Sequence, residues 1–223
     1  MHMMYQLMKY RTVRLEGEDE IVIQKSRFIG YVAHVETEED AIQFIERIKK
    51  KHWDATHNCS AYMVGEHNEK QKANDDGEPS GTAGKPILEV IKKMGLKDTA
   101  VVVTRYFGGI KLGAGGLIRA YSQATTAGIL ATGVIERTKH RLVKVTVDYH
   151  WQGKLDHQYR QAGILVQETI YLEKVSYLVA APSGTEENFR DWMLELTNGE
   201  AVIEEMEEVY VDVEVNPHEH DLS

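Results

Sequence analysis

The 223-residue sequence contains a single cysteine, Cys59, so no intramolecular disulfide can form. That fits a reducing cytosol and excludes the disulfide-stapled secreted scaffolds. There are only four prolines and no low-complexity tract, which sets the chain apart from Pro-rich linkers and disordered segments. Long apolar runs are missing too: none approaches the ~18 residues needed to span a bilayer. The start, Met1-His2-Met3-Met4-Tyr5-Gln6-Leu7-Met8-Lys9, lacks the basic stretch, apolar run and small-residue cleavage site of a signal peptide. These absences lead to the expectation of a cytoplasmic protein with no membrane partner, in which the methionine-crowded start and the polar tail Asn216–Ser223 stand outside the fold.

Positive charge is also in deficit, with 26 Lys and Arg against 35 Asp and Glu, a net charge of −9. The deficit is uneven. Residues 1–137 carry 19 basic against 18 acidic side chains, a balance of +1, and residues 138–223 carry 7 against 17, a balance of −10. The second part repels a polyanion, so any nucleic acid belongs on the first.

Tyr10–Leu15 and Glu20–Ile23 alternate as strands around a turn at Glu16-Gly17-Glu18-Asp19, and Arg27–Val35 continues as a third strand. Thr37 caps a helix through Lys51, with Ala41, Phe44, Ile45 and Ile48 at helical spacing and three lysines suited to its C-terminal dipole. Asn58–Val64 reads as a strand, followed by a polar loop from Gly65 to Ser80 that is too long to be plain connection. A helix over Ala83–Met94 and a β-branched central strand over Thr99–Tyr106 follow. A glycine-rich loop then leads into a helix over Leu117–Thr132. Beyond it, strand Leu142–Val147, helix Gln152–Ala162, strands Ile164–Ile170 and Lys174–Ala180, helix Glu186–Leu196 and strand Ala201–Val213 give β-α-β-β-α-β, the ferredoxin-like order. The reading is an α+β chain of two domains, residues 9–137 and 138–215.

Three segments carry candidate chemistry. The first runs Thr104–Ser122 and leaves a strand, makes a glycine loop and opens a helix. Gly108, Gly109, Gly113, Gly115 and Gly116 would let backbone N–H groups reach an anion at the helix start. Arg105, Lys111, Arg119 and, from the neighbouring helix, Lys85 would add charge. No Gly-Lys-Ser/Thr closes a P-loop, and Ile118 stands where a dinucleotide fingerprint needs glycine or alanine, so no cofactor is called for. The alternative is that the glycines serve only a tight turn and a close helix–strand contact.

The second segment, Asn74–Pro86, places Asp75, Asp76 and Glu78 just before a helix. Such carboxylates are weak candidates for a divalent cation and read better as turn and capping groups. The third, Lys51–Tyr62, sets His57 and Cys59 two apart on one strand face. A Cys–His nucleophile is one reading, and a buried cysteine filling an apolar strand is the favoured one. Neither His52 nor His57 has a paired ligand cluster, and His218 and His220 in the tail are discounted. Trp151, Trp192, Tyr171 and Tyr177 are read as core packing rather than as base-stacking rings.

Asn74–Lys85 (NDDGEPSGTAGK) and Arg105–Tyr121 (RYFGGIKLGAGGLIRAY), with Ser26–Gly30 and His57–Tyr62, closely resemble the YigZ/IMPACT family in its bacterial two-domain form. The resemblance spans Lys9 to about Val213 and is strongest in the first domain. It implies a first domain similar to domain IV of elongation factor G, with a left-handed β-α-β crossover, and a ferredoxin-like second domain similar to its domain V. That pairing implies RNA or ribosome contact. The eukaryotic relatives regulate translation in the kinase pathway that senses amino-acid starvation, by competing for its ribosome-bound activator. They carry a different second domain, so that protein partner does not transfer. Some bacterial relatives bear a proline-dipeptidase label, for which this sequence shows no His-Glu-x-x-His or ordered ligand set.

The expected function is therefore translation-associated RNA or ribosome binding through the basic glycine loop, with catalysis left open but disfavoured. The alternatives are a Mg-dependent enzyme acting on a phosphorylated small molecule or nucleotide at the same loop, and a protein-interaction module using the acidic second domain.

Overall fold

The computed structural model describes residues 9–215; the methionine-crowded start before Lys9 and the tail from Asn216 lie outside the described residues. The chain forms two compact units, residues 10–136 with 213–215, and Arg137–Asp212 with Lys9.

In the first unit, β1 (Lys9–Val13) precedes a hairpin of β2 (Glu16–Ile23) and β3 (Ser26–His34). Helix α1 (Glu38–Lys51) then leads to β4 (His57–Val64) and β5 (Lys70–Asn74), and α2 (Gly84–Lys93) to β6 (Thr99–Tyr106) and α3 (Gly113–Thr132). The sheet order is β2-β3-β6-β4-β5, antiparallel throughout. Thr37 caps α1 as expected: its Oγ1 accepts the Asp40 N–H at 3.1 Å while Asp40 Oδ2 accepts the Thr37 N–H at 3.0 Å, a reciprocal capping box.

The central strands are covered on both faces, which explains the unbroken apolar run of β6. Val101 and Val103 face a core closed by Ile87 and Ile91 of α2 and Leu117, Tyr121 and Ala124 of α3. Ala100 and Val102 face the other side, closed by Ala41, Phe44 and Ile48 of α1. Helix α3 lies almost backbone-to-backbone on β3, since a Cβ on Gly30 would strike the Ala124 carbonyl oxygen.

Two sequence expectations need correction. Glu16–Asp19 is strand rather than turn, because β3 pairs it along its length. The polar stretch 65–80 contains β5, a fully exposed edge strand whose ladder to β4 needs no buried face.

The second unit runs β7 (Val134–Val147), α4 (Gln152–Ala162), β8 (Leu165–Tyr171), β9 (Val175–Pro182), α5 (Glu186–Leu196) and β10 (Val202–Glu214). Its own strands run β10-β7-β9-β8, the ferredoxin-like order, and the long strand β7 is also paired by β1. Trp151, Trp192 and Tyr177 join the core beneath it, but Tyr171 is exposed. No helix among the described residues is long and apolar enough to cross a membrane.

Candidate functional site

Strand β6 delivers Arg105 at its C-terminal end, and its alternation decides where that side chain goes. Arg105 shares a face with Val101 and Val103, the face covered by α2 and α3. It is accordingly buried, and its Nη1 donates to Glu78 Oε1 at 2.6 Å. The guanidinium carbon lies 5.4 Å from the ring centroids of both Phe28 and Phe107. Its Nε is buried with no hydrogen-bond partner. The side chain expected to meet phosphate thus anchors a buried network.

Glu78 is the hub of that network. Tyr121 of α3 donates its hydroxyl to the same Oε1 at 2.7 Å, and His57 Nε2 lies 3.8 Å from Oε2. His57 is oriented by its other nitrogen, whose N–H donates to the Asp76 carbonyl at 2.8 Å. The Cys59 sulfur sits 2.9 Å from the Asp75 carbonyl oxygen and 3.4 Å from the Tyr121 hydroxyl. Burial pushes the Cys59 thiol up to about 12, and burial likewise raises the Tyr121 phenol far above its usual range. A thiol in that condition is not a nucleophile at neutral pH.

The other two carboxylates are also committed to the protein. Asp75 Oδ1 accepts the N–H groups of Ala83 and Gly84 at 3.0 and 2.8 Å, and Oδ2 accepts that of Gly81 at 2.8 Å. It serves as a cap for α2, whose N-cap residue Ala83 has no capping side chain. Burial alone would raise the Asp75 carboxyl, but these three donors outweigh it and hold the group below its ordinary value. Asp76 Oδ2 accepts the Asn58 N–H at 2.7 Å, and its Oδ1 pairs with Lys49 at 2.6 Å. Among the described residues no cluster of three or more His, Cys, Asp or Glu side chains is arranged to hold a metal ion.

The glycine-rich segment is at the surface, and the helix starts earlier than its sequence suggests. Helix α3 begins at Gly113, so Gly115 and Gly116 are in its first turn, which has neither a side-chain cap nor an acidic residue. The glycines divide by role. A Cβ on Gly108 would run into the backbone of Lys25, so this glycine permits a close approach, while Gly109 and Gly113 adopt left-handed backbone at φ +87° and +67°. Gly115 has neither reason: it is exposed, with nothing within 4 Å of the space a Cβ would take. Lys111 and Arg119 flank this turn, exposed and without a hydrogen bond or ion pair among the described residues; Lys85, at the start of α2, is likewise exposed and unpaired.

The structure therefore joins the second and third segments into one buried network through Arg105, and leaves Lys111, Arg119 and the first turn of α3 as the accessible part of the first. The His57–Glu78–Arg105–Tyr121 connection was missed from sequence. Its signal was the alternation along β6, which puts Arg105 inward and beside its cross-strand partners His57 and Phe28.

Fold and site together define a two-domain α+β protein whose first domain ends its central strand in an uncapped, basic helix start. Residues 24–129 match the family profile described as the Impact N-terminal domain, and residues 145–200 match one described as a domain of unknown function, DUF1949. IMPACT family member YvyE of Bacillus subtilis (strain 168) is 53% identical over 210 residues, covering 94% of this chain and 97% of that relative. IMPACT family member YigZ of Escherichia coli (strain K12) is 32% identical over 188 residues, covering 83% and 92%. A crystal structure of a hypothetical protein superposes with a TM-score of 0.58 at 28% identity, covering 90% of this chain and 98% of that one. The chain belongs to the IMPACT family.

Proposed function

We propose that this protein is a cytoplasmic translation-associated regulator that binds RNA or the ribosome through the first turn of α3, with Lys111 and Arg119 as its phosphate contacts. Membership of a family whose eukaryotic relatives regulate translation supplies the setting. The observation that carries the site is Gly115. Alanine there would meet nothing and would favour the helix by up to about 1 kcal/mol, so a glycine in that place fits a backbone kept open for a ligand.

Charge supports the same unit. Each of the seven Lys and Arg side chains after Arg137 is already engaged within the second unit: Lys139 and Arg141 with Glu208, Lys144 with Glu204, Lys174 with Asp148, Arg190 with Glu205, and Lys154 and Arg160 with backbone carbonyls. None of them is spare for a polyanion. The three carboxylates of Asn74–Pro86 are engaged by protein donors, which weighs against the Mg-dependent alternative.

Co-sedimentation with ribosomes across a salt series tests this reading. Association should fall steeply with salt, and Lys111→Ala/Arg119→Ala should weaken it and flatten the dependence, each phosphate contact contributing about 0.7 to the slope on single strands. Retention of full binding by the double variant, or no association of the wild type at low salt, would overturn it.

A further inference from the structure

Among the described residues, the first unit holds its exposed aromatic rings at one end of the sheet. Trp53 is 83% and Phe107 46% exposed. A tryptophan this far out of the core is unusual, since most of its surface is ordinarily buried. Its loop is nevertheless firmly tied down. The Ala55 N–H donates to the His52 carbonyl at 3.1 Å, the Thr56 N–H to the Arg105 carbonyl at 2.9 Å, and the Tyr106 hydroxyl to Asp54 Oδ1 at 3.1 Å. Phe107 belongs to the same construction, its N–H donating to Thr56 Oγ1 at 3.0 Å. The turn between β2 and β3 is fastened beside them by the Gly108 N–H on Ser26 Oγ at 3.1 Å.

Phe107 also has a rigid support. The Arg105 guanidinium lies under its ring, fixed in turn by Glu78 and Phe28. One side of the ring is thus backed and the rest is open before any ligand arrives.

Charge selects the ligand class. Lys25 on the β2–β3 turn and Lys111 beyond Phe107 are exposed and unpaired among the described residues. The carboxylate on the Trp53 loop, Asp54, is occupied by Tyr106. Open rings interleaved with spare cations match an unpaired nucleic-acid strand, whose bases stack on the rings while its phosphates meet the lysines. A duplex keeps its base faces to itself.

We propose that this end of the first unit is a stacking platform for unpaired bases, with Trp53 and Phe107 as its rings and single-stranded or loop RNA as its ligand. The proposal rests on the RNA reading above and narrows it.

The test is fluorescence anisotropy of the full chain with a short labelled oligoribonucleotide, single-stranded and as the matching duplex. Wild type should bind the single strand about ten-fold tighter or more. Trp53→Ala, at a ring with no part in the core, should lose about ten-fold, equal to about 1.4 kcal/mol, with an unchanged salt slope. Phe107→Ala should do the same, and Phe107→Tyr should retain binding. If both alanine variants bind like wild type while Lys111→Ala/Arg119→Ala does not, stacking is wrong and RNA binding stands. If wild type binds neither RNA, the stacking platform fails, and the broader reading fails with it only if ribosome co-sedimentation is also lost. If Trp53→Ala loses ribosome association while wild type ignores naked RNA, the rings dock on protein and the proposal is overturned.

Discussion

Arg105 Nη1 and Glu78 Oε1 lie 2.6 Å apart, and both side chains are under a tenth exposed. Removing one partner leaves the other charged and out of reach of water. Glu78→Ala is therefore expected to destabilise the first domain by about 3–5 kcal/mol in urea denaturation. Adding Arg105→Met to that variant should cost less than the sum of the single changes, because no orphaned charge remains. Strict additivity would show that the two do not act as a pair.

The crossing of α3 over β3 predicts a second loss. A Cβ on Gly30 would enter the Ala124 carbonyl oxygen, and one on Gly128 would meet the Gly30 carbonyl. Backbone cannot step aside as a flexible side chain does. Gly30→Ala should lower stability by about 1–3 kcal/mol or more, read as a fall in the thermal midpoint. An unchanged midpoint would mean that α3 slides freely on the strand.

How much of this was legible in the sequence depends on whether a local pattern or a distant partner decides each element. Thr37 and the Ala41–Phe44–Ile48 spacing carried their own instruction, and α1 ends where they place it. The β-branched run of β6 likewise announced a strand buried on both faces. Lys70–Asn74 carried no such signal, since an edge strand exposed on both sides is specified by its partner β4 rather than by alternation. At the site, Lys111 and Arg119 were readable as exposed cations. Arg105 is not, because its parity with Val101 and Val103 turns an arginine, ordinarily a surface cation, toward the face covered by α2 and α3. The use of Glu78 as its counter-charge depends on a fold contact that no spacing of residues encodes.

Gly115 separates fold from function. With open space around it, Gly115→Ala should leave the thermal midpoint unchanged or slightly raised. The same change should weaken RNA or ribosome association, because a methyl group would take up open space at the turn where the ligand approaches the backbone. Full binding by a normally folded Gly115→Ala protein would remove the main support for this turn as the contact.

Cys59 should be chemically silent in the native protein. Its thiol is buried and raised to about 12, so almost no thiolate exists at pH 8. A colorimetric thiol reagent should find no reactive group in the folded chain and one after denaturation. Rapid native labelling would reopen the Cys–His nucleophile reading.

Asp75 should make stability depend on acid pH. Its folded carboxyl lies below its ordinary value, held there by the Gly81, Gly84 and Ala83 N–H groups against the opposing effect of burial. The unfolded chain therefore takes up this proton at a higher pH than the folded one. Asp75 contributes its full stabilisation above the unfolded value, about pH 4, and that contribution is lost as pH falls through the depressed folded value. At pH 7, Asp75→Ala should cost about 1–2 kcal/mol, the range for removing a helix cap. The gap in urea midpoint between wild type and Asp75→Ala should hold constant from pH 7 down to about 5 and narrow below about pH 4. A gap that stayed constant to pH 2.5 would mean that the three N–H groups do not depend on the carboxylate's charge. One that narrowed already between pH 7 and 6 would mean that Asp75 is not the group responsible.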